Sequence, residues 1–294
     1  MLHHLLHHPC NRCFRLFASP GLVSLIVAGL ISSGWNSAKA HELWTETSPN
    51  SRLGAPHEVV VCWGHFNERA SGEAITGQHD KISTRMVRPD GSRAELKTTA
   101  EEDCFVTTVK PEQPGYFVFG SELQTGILSQ PLHSIPPKTR IIMYGKTLTH
   151  VAGSDQGMEN KVGFDMEIVP RTPVDKLHPG KVVEAKVLLK GKPLGGRDVE
   201  ISLVTPGKRP LPEHPRIQSH VWSIDAVPDP NSGHVAFPLI TTGPHLFVIR
   251  HFDESPGTYT GPHDFHGDFS HLQKGDAYER TMYISTLMLE VAGK

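Results

Sequence analysis

A histidine directly behind a signal-peptidase site can become the first residue of a working protein. In Ser37-Ala38-Lys39-Ala40, small residues stand at the two positions such a peptidase reads, and His41 follows. A chain that starts at His41 carries a free α-amine and an imidazole on one residue. The amine nitrogen and the near ring nitrogen can close a chelate ring on a single metal ion. One or two imidazoles from elsewhere complete a nitrogen-rich site, which suits Cu, Ni, Co and Zn rather than Ca or Mg. These nitrogens bind only when deprotonated, and an α-amine titrates near about 7.7–8.0. Affinity is therefore expected to fall as the pH drops.

Other histidines could supply the remaining ligands. The sequence holds 19 His, of which His3, His4, His7 and His8 precede the cleavage point. That early tract looks like a metal site but is removed with the leader. His65, in Cys62-Trp63-Gly64-His65-Phe66, ends a strand-like run where a glycine permits close backbone approach. His251 closes an apolar run, and the loop behind it carries His263, Asp264, His266, Asp268 and His271. His263 and His266 could share an ion, with an aspartate ligating or orienting a ligand ring. A solvated polar loop is the alternative. The other histidines are scattered and read as surface or turn residues.

The segment before His41 has the order expected of an export signal. Arg12 and Arg15 precede an apolar run, Leu22–Ile31, that is shorter than the roughly 17–25 residues of a membrane span. Residues 1–40 are therefore read as a signal peptide, and the exported chain of 254 residues as extracytoplasmic and not membrane-spanning. Losing Arg12, Arg15 and Lys39 takes the formal charge from −2 to −5, which gives no reason to expect a nucleic-acid partner. Cys62 and Cys104 remain, and an oxidising compartment would allow them to bridge. Such a bridge would close a loop of about 43 residues and contribute roughly 4 kcal/mol.

The elements that must position these residues read as strands. Short apolar runs recur between Pro- and Gly-marked turns, which is an all-β signature. Strands are expected at 57–64, 82–87, 105–110, 116–120, 140–144, 164–169, 182–189, 199–204, 220–224, 234–239, 245–251 and 281–291. Residues 121–138 read as a long loop. The pattern predicts two immunoglobulin-like β-sandwich domains, 41–162 and 163–294.

At this point a family resemblance emerges. His41-Glu42-Leu43-Trp44 and Gly64-His65-Phe66 resemble periplasmic proteins associated with nickel and cobalt uptake, long catalogued as a domain of unknown function. The similarity continues through Val162–Pro170, Leu177–Gly180, Gly191–Leu194 and Gly275–Arg280. It implies a two-part β-sandwich that handles a transition metal outside the cytoplasmic membrane, with His41 and His65 as ligands. The segment Ser255–His271 departs from the family pattern in being longer and richer in His.

Together these features predict a non-catalytic periplasmic protein that binds Ni or Co (or Cu or Zn). It would capture the ion through His41, with His65 and His251 closing the site, and serve a membrane metal transporter. Two other functions compete. A copper ion on an N-terminal His with an open position could activate oxygen, with Trp44, Trp63 and Trp222 as aromatic surface. A metal-free adhesion or carbohydrate-binding sandwich is the third reading.

Overall fold

The computed structural model describes residues 41–293 apart from 67, 71, 73–76, 133 and 207–220. Residues 1–40, expected as a signal peptide, lie outside the described residues. So do His133, His214 and His220.

Strands dominate because the apolar pattern alternates. An 11-stranded sheet runs through the middle of the molecule. Its core order is Val221–Ala226, Ile201–Pro206, Gly243–Asp253, Arg280–Val291, Thr139–Val151, Gly115–Leu128. The C-terminal strand Arg280–Val291 lies antiparallel to Gly243–Asp253 and parallel to Thr139–Val151. Strands from both sides of residue 162 are therefore hydrogen-bonded into one sheet.

Each face of this central sheet carries a smaller sheet. In the C-terminal strand, Met282 and Ile284 pack with Leu43, Val61 and Phe105, while Tyr283, Leu287 and Leu289 pack with Ile168, Val183 and Phe237. Successive strand residues point to opposite faces. A front sheet built on Glu42–Thr47, His57–His65 and Phe105–Val109 thus covers one face. A back sheet of Met166–Pro170, Val182–Leu189, Lys192–Pro193 and His234–Pro238 covers the other. The chain is all-β, as its sequence implies. The two expected sandwiches, however, share their middle layer, and 39–294 form one compact unit.

Strand lengths differ from expectation for a related reason. Residues 121–138 were expected as loop, yet Gly115–Leu128 is a single strand. Leu123 points into the front core. Glu122 and Gln124 alternate with it and face side chains on the back, where Gln124 accepts from Arg140. A polar alternate face does not break a strand when the neighbouring layer offers partners. Thr139–Val151 likewise extends beyond its apolar run.

Two buried polar arrangements lie within the sheets, and the first joins two layers. Lys146, on the central sheet, pairs with Glu167 of the back sheet at 2.6 Å, with both side chains almost fully buried. Glu167 also accepts from the backbone N–H groups of Val162 and Gly163, at 2.7 and 3.1 Å. The second arrangement involves His245. Its Nδ1 donates to the Gly243 carbonyl at 2.9 Å, and Thr241 lies 3.3 Å from Nε2. Burial holds this imidazole below the usual histidine range.

The expected Cys62–Cys104 bridge is not formed: both are free, buried thiols. The pairing Val61↔Phe105, continued by one step, sets them opposite each other. Burial raises both thiols, with further upward pushes from Glu46 on Cys62 and Asp103 on Cys104, and Cys104 reaches about 11. The thiolate that attacks in disulfide chemistry is accordingly scarce.

Two stability outcomes follow from these contacts. Lys146→Met strands Glu167 in a dry layer and is expected to lower unfolding free energy by about 3–5 kcal/mol, measured by urea titration. For His245, the folded pKa is depressed, so the unfolded chain takes up a proton first as the pH falls below about 6.5. This residue's contribution is therefore present above that pH and is lost on acidification. The stability gap between wild type and His245→Gln should narrow from about pH 8 to about pH 5.5. A gap that stays constant with pH would contradict the assignment.

Candidate metal centre

His41 precedes the first strand of the front sheet, and the position of that strand is strongly determined. Leu43 and Trp44 are both 0% exposed. Burying two such side chains is worth about 1.5–3 kcal/mol each. The strand also crosses the central sheet at close range. A Cβ on Gly145 would lie only 2.8 Å from the Trp44 Cα, so a larger residue there would push the strand away. Thr286 Oγ1 donates to the Leu43 carbonyl at 2.7 Å. Glu42 pairs with Arg250 of the central sheet. Burial raises the Glu42 carboxyl to about 7, against the lowering influence of Arg250.

Register then brings the second histidine to the first. Leu43↔Trp63 and Glu42↔Gly64 are antiparallel partners. One further step sets His41 opposite His65. Their ring centroids are 4.9 Å apart, at an interplanar angle of 51°. Gly64 adopts φ of +135°, a backbone conformation that favours glycine, immediately before His65. Trp63 forms a wall: its ring meets that of His41 edge-on, with centroids 4.5 Å apart. The Trp63 Nε1 is buried and has no hydrogen-bond partner. Beyond His65, the register partner on the short return strand is Glu68.

His41 is exposed and His65 half-buried, so the pair opens to solvent at the strand end. Two imidazoles at this separation can converge on one ion. Among the described residues, no group of three or more His, Cys, Asp or Glu side chains is arranged to hold a metal. The third nitrogen of the proposed chelate is not a side chain. It would be the α-amine of His41, which a cleavage after Ala40 would create.

The remaining predicted ligands lie elsewhere. His251 sits on Gly243–Asp253 opposite Tyr283. Arg250 points to the front and reaches Glu42, so alternation sends His251 to the back face. It does not join His41 and His65. Burial lowers its imidazole, with Asp253 opposing. His263 donates its backbone N–H to the Tyr259 hydroxyl at 3.1 Å. His266 is paired with His271, not with His263: the two are register partners and their rings lie parallel within 11°, with centroids 6.4 Å apart. Asp264 is 4.0 Å from His266 and Asp276 is 3.6 Å from His271.

The segment expected as a departure from the family pattern is itself structured. Gly257–Thr258 pairs with Ala277–Tyr278, and Ser270–Leu272 adds to the edge of Gly115–Leu128. Trp63, expected only as aromatic surface for an oxidative copper site, stands against the His41 ring. The available signal was its spacing of two from His65, which puts both on one face of a strand.

A protein-family model described as "Domain of unknown function (DUF4198)" matches residues 38–253. No curated protein matches the chain. Among solved structures, a putative membrane anchored protein from Corynebacterium diphtheriae is similar at 10% identity and a TM-score of 0.24. That match covers 83% of this chain and 59% of the other. Salmonella alpha-2-macroglobulin reacted with methylamine gives 10% identity and a TM-score of 0.24, covering 86% of this chain and 15% of the other. The chain thus spans less than two thirds of either neighbour.

A paramagnetic ion held by both rings would sit within quenching range of the Trp63 indole. Adding Cu or Ni to a chain that begins at His41 should quench its tryptophan emission saturably. His65→Ala should weaken the apparent affinity by at least about tenfold, the loss of one good ligand. Trp63→Phe should remove most of the quenching while leaving binding by calorimetry intact. Quenching of the same size without Trp63 would place the ion elsewhere.

Proposed function

The chain belongs to the DUF4198 family, and on that footing we propose that it is an exported, non-catalytic transition-metal-binding protein. It takes up Ni or Co in the periplasm for a membrane metal transporter. The observation that carries this reading is the apposition of His41 and His65 at 4.9 Å, on register partners at an open strand end. Cleavage after Ala40 would add the amine that makes His41 bidentate. Capture then uses three nitrogens, and the solvent-open side leaves positions for exchange.

What this chain's own groups do can be stated separately. The Glu42–Arg250 pair and the Leu43–Trp44 anchor hold the strand behind His41 in place. The terminus is thereby ordered before the ion arrives, which reduces the entropy lost on binding. Trp63 walls one side of the pair. Borderline nitrogen donors favour Ni, Co, Cu and Zn, and the metal's identity would be set by geometry and supply. Among the described residues, no helix is long and apolar enough to cross a membrane.

One comparison tests the reading. The chain is prepared with His41 at its true start, and again with one extra residue ahead of it. Both are titrated with Ni, Co, Cu and Zn. The authentic start should bind at least about a hundredfold more tightly, because the extension replaces an amine with an amide and breaks the chelate. Equal binding by the two forms, or binding by neither, would defeat the proposal. Oxygen consumption with Cu and a reductant would instead favour the oxidative enzyme.

A further inference from the structure

The back sheet does not cover the whole back face of the central sheet. Ile82–Val87, Gly115–Leu128 and Thr139–Val151 run side by side, and on them Arg85, Glu122 and Arg140 occupy back-facing positions. Neighbours confirm the direction, since Val87 and Ile142 belong to the back core and Met86, Leu123 and Ile141 to the front. The segment 259–263 borders the same space. Between them lies an open cavity of ≈ 520 Å³, within the usual range for a small-molecule site.

The polar groups of this cavity are incompletely satisfied. Arg140 lies over the Tyr259 and Tyr278 rings, at 5.1 and 5.6 Å from their centroids. One terminal nitrogen donates to Gln124 at 3.0 Å, while its Nε is buried without a partner. The Arg85 Nε is also buried without a hydrogen bond. The carboxylates nearest Arg85, Glu95 and Glu122, stand at 3.7 and 3.9 Å, beyond hydrogen-bonding range. Hydrogen bonds to the charged side chains of this space are therefore incomplete, while the cavity exposes the side chains themselves to an incoming ligand.

The charges in the cavity limit what that could be. Two guanidiniums and two carboxylates line one small space. A simple anion would be drawn to the arginines and repelled by Glu95 and Glu122. A simple cation would meet the reverse. A molecule carrying both charges satisfies both sets. We propose that this cavity binds a small zwitterion of the free amino-acid class. Its carboxylate meets the guanidinium groups of Arg85 and Arg140, and its ammonium sits at Glu95 and Glu122. Guanidinium donors suit a carboxylate. The site lies on the opposite face of the central sheet from His41 and does not depend on the metal reading.

Calorimetry on the mature chain tests this, using L-alanine, L-glutamate and L-lysine as probes, with propionate and ethylamine as single-charge controls. At least one amino acid should bind with a Kd of roughly millimolar or tighter. The controls should not bind at that concentration. Arg85→Gln and Glu122→Gln should each weaken binding by at least about tenfold, by removing opposite ends of the recognition. If Arg85→Gln does not fold by circular dichroism, Arg85→Lys and Glu122→Gln carry the test. The proposal is overturned if no amino acid binds, if propionate or ethylamine binds equally well, or if folded variants bind like wild type. Blocking the His41 amine should leave amino-acid binding unchanged, which separates this result from the metal titration.

Discussion

The C-terminal strand Arg280–Val291 enters the sheet between Gly243–Asp253 and Thr139–Val151, far from the second of these in sequence. Its residues are apolar on both faces because both faces are covered. Met282, Ile284 and Met288 serve the front layer, and Tyr283, Leu287 and Leu289 serve the back. Without this strand, the halves of the chain would present two open sheet edges. With it, they are one sheet with a layer on each side. Such a pairing closes a long loop and is entropically slow to form, so the flanking layers must reward it.

The same constraint reaches the candidate metal centre. Thr286, on the front of that strand, donates to the Leu43 carbonyl, and Gly145, on its parallel neighbour, lets the Trp44 backbone approach. The first strand is therefore seated by the middle of the sheet, not by its own sheet alone. A chain terminus is ordinarily a place of disorder. In a chain that starts at His41, the terminus would stand two residues before the buried Leu43–Trp44 anchor, with its imidazole beside that of His65. The buried Lys146–Glu167 pair plays the corresponding role on the back. It fixes the point where the chain leaves the central sheet for the back layer, and its extra backbone donors offset the desolvation of the carboxylate.

The histidine-rich segment behind His251 shows how burial and register sort residues that look alike in sequence. His251 is one residue from Arg250, yet strand alternation puts the two on opposite faces. His266 meets His271 because a tight two-strand return makes them register partners. His263 lies beside the arginine-lined cavity. One cluster in sequence thus becomes three separate environments. Composition could show that metal-ligating side chains were abundant, but not which of them share a face.

Much of the architecture was legible. Alternating apolar positions located most of the long strands, and Pro- and Gly-marked turns separated them, because half-buried strands need that period. The expected cleavage before His41 and the chelate chemistry of a terminal histidine rest on equally local features, the small residues at Ala38 and Ala40 and the atoms of one residue. Strand ends were less legible, as with Gly115–Leu128, because partners for Glu122 and Gln124 come from other strands. The shared central sheet, the free thiols at Cys62 and Cys104, and the departure of His251 from the site were settled by tertiary structure. Each depends on which side of a layer a residue occupies or on what it is buried against, and these are set by contacts between distant parts of the chain. The same holds for His41 and His65. Sequence supplied the two rings, and the register of one antiparallel pair brought them within 4.9 Å.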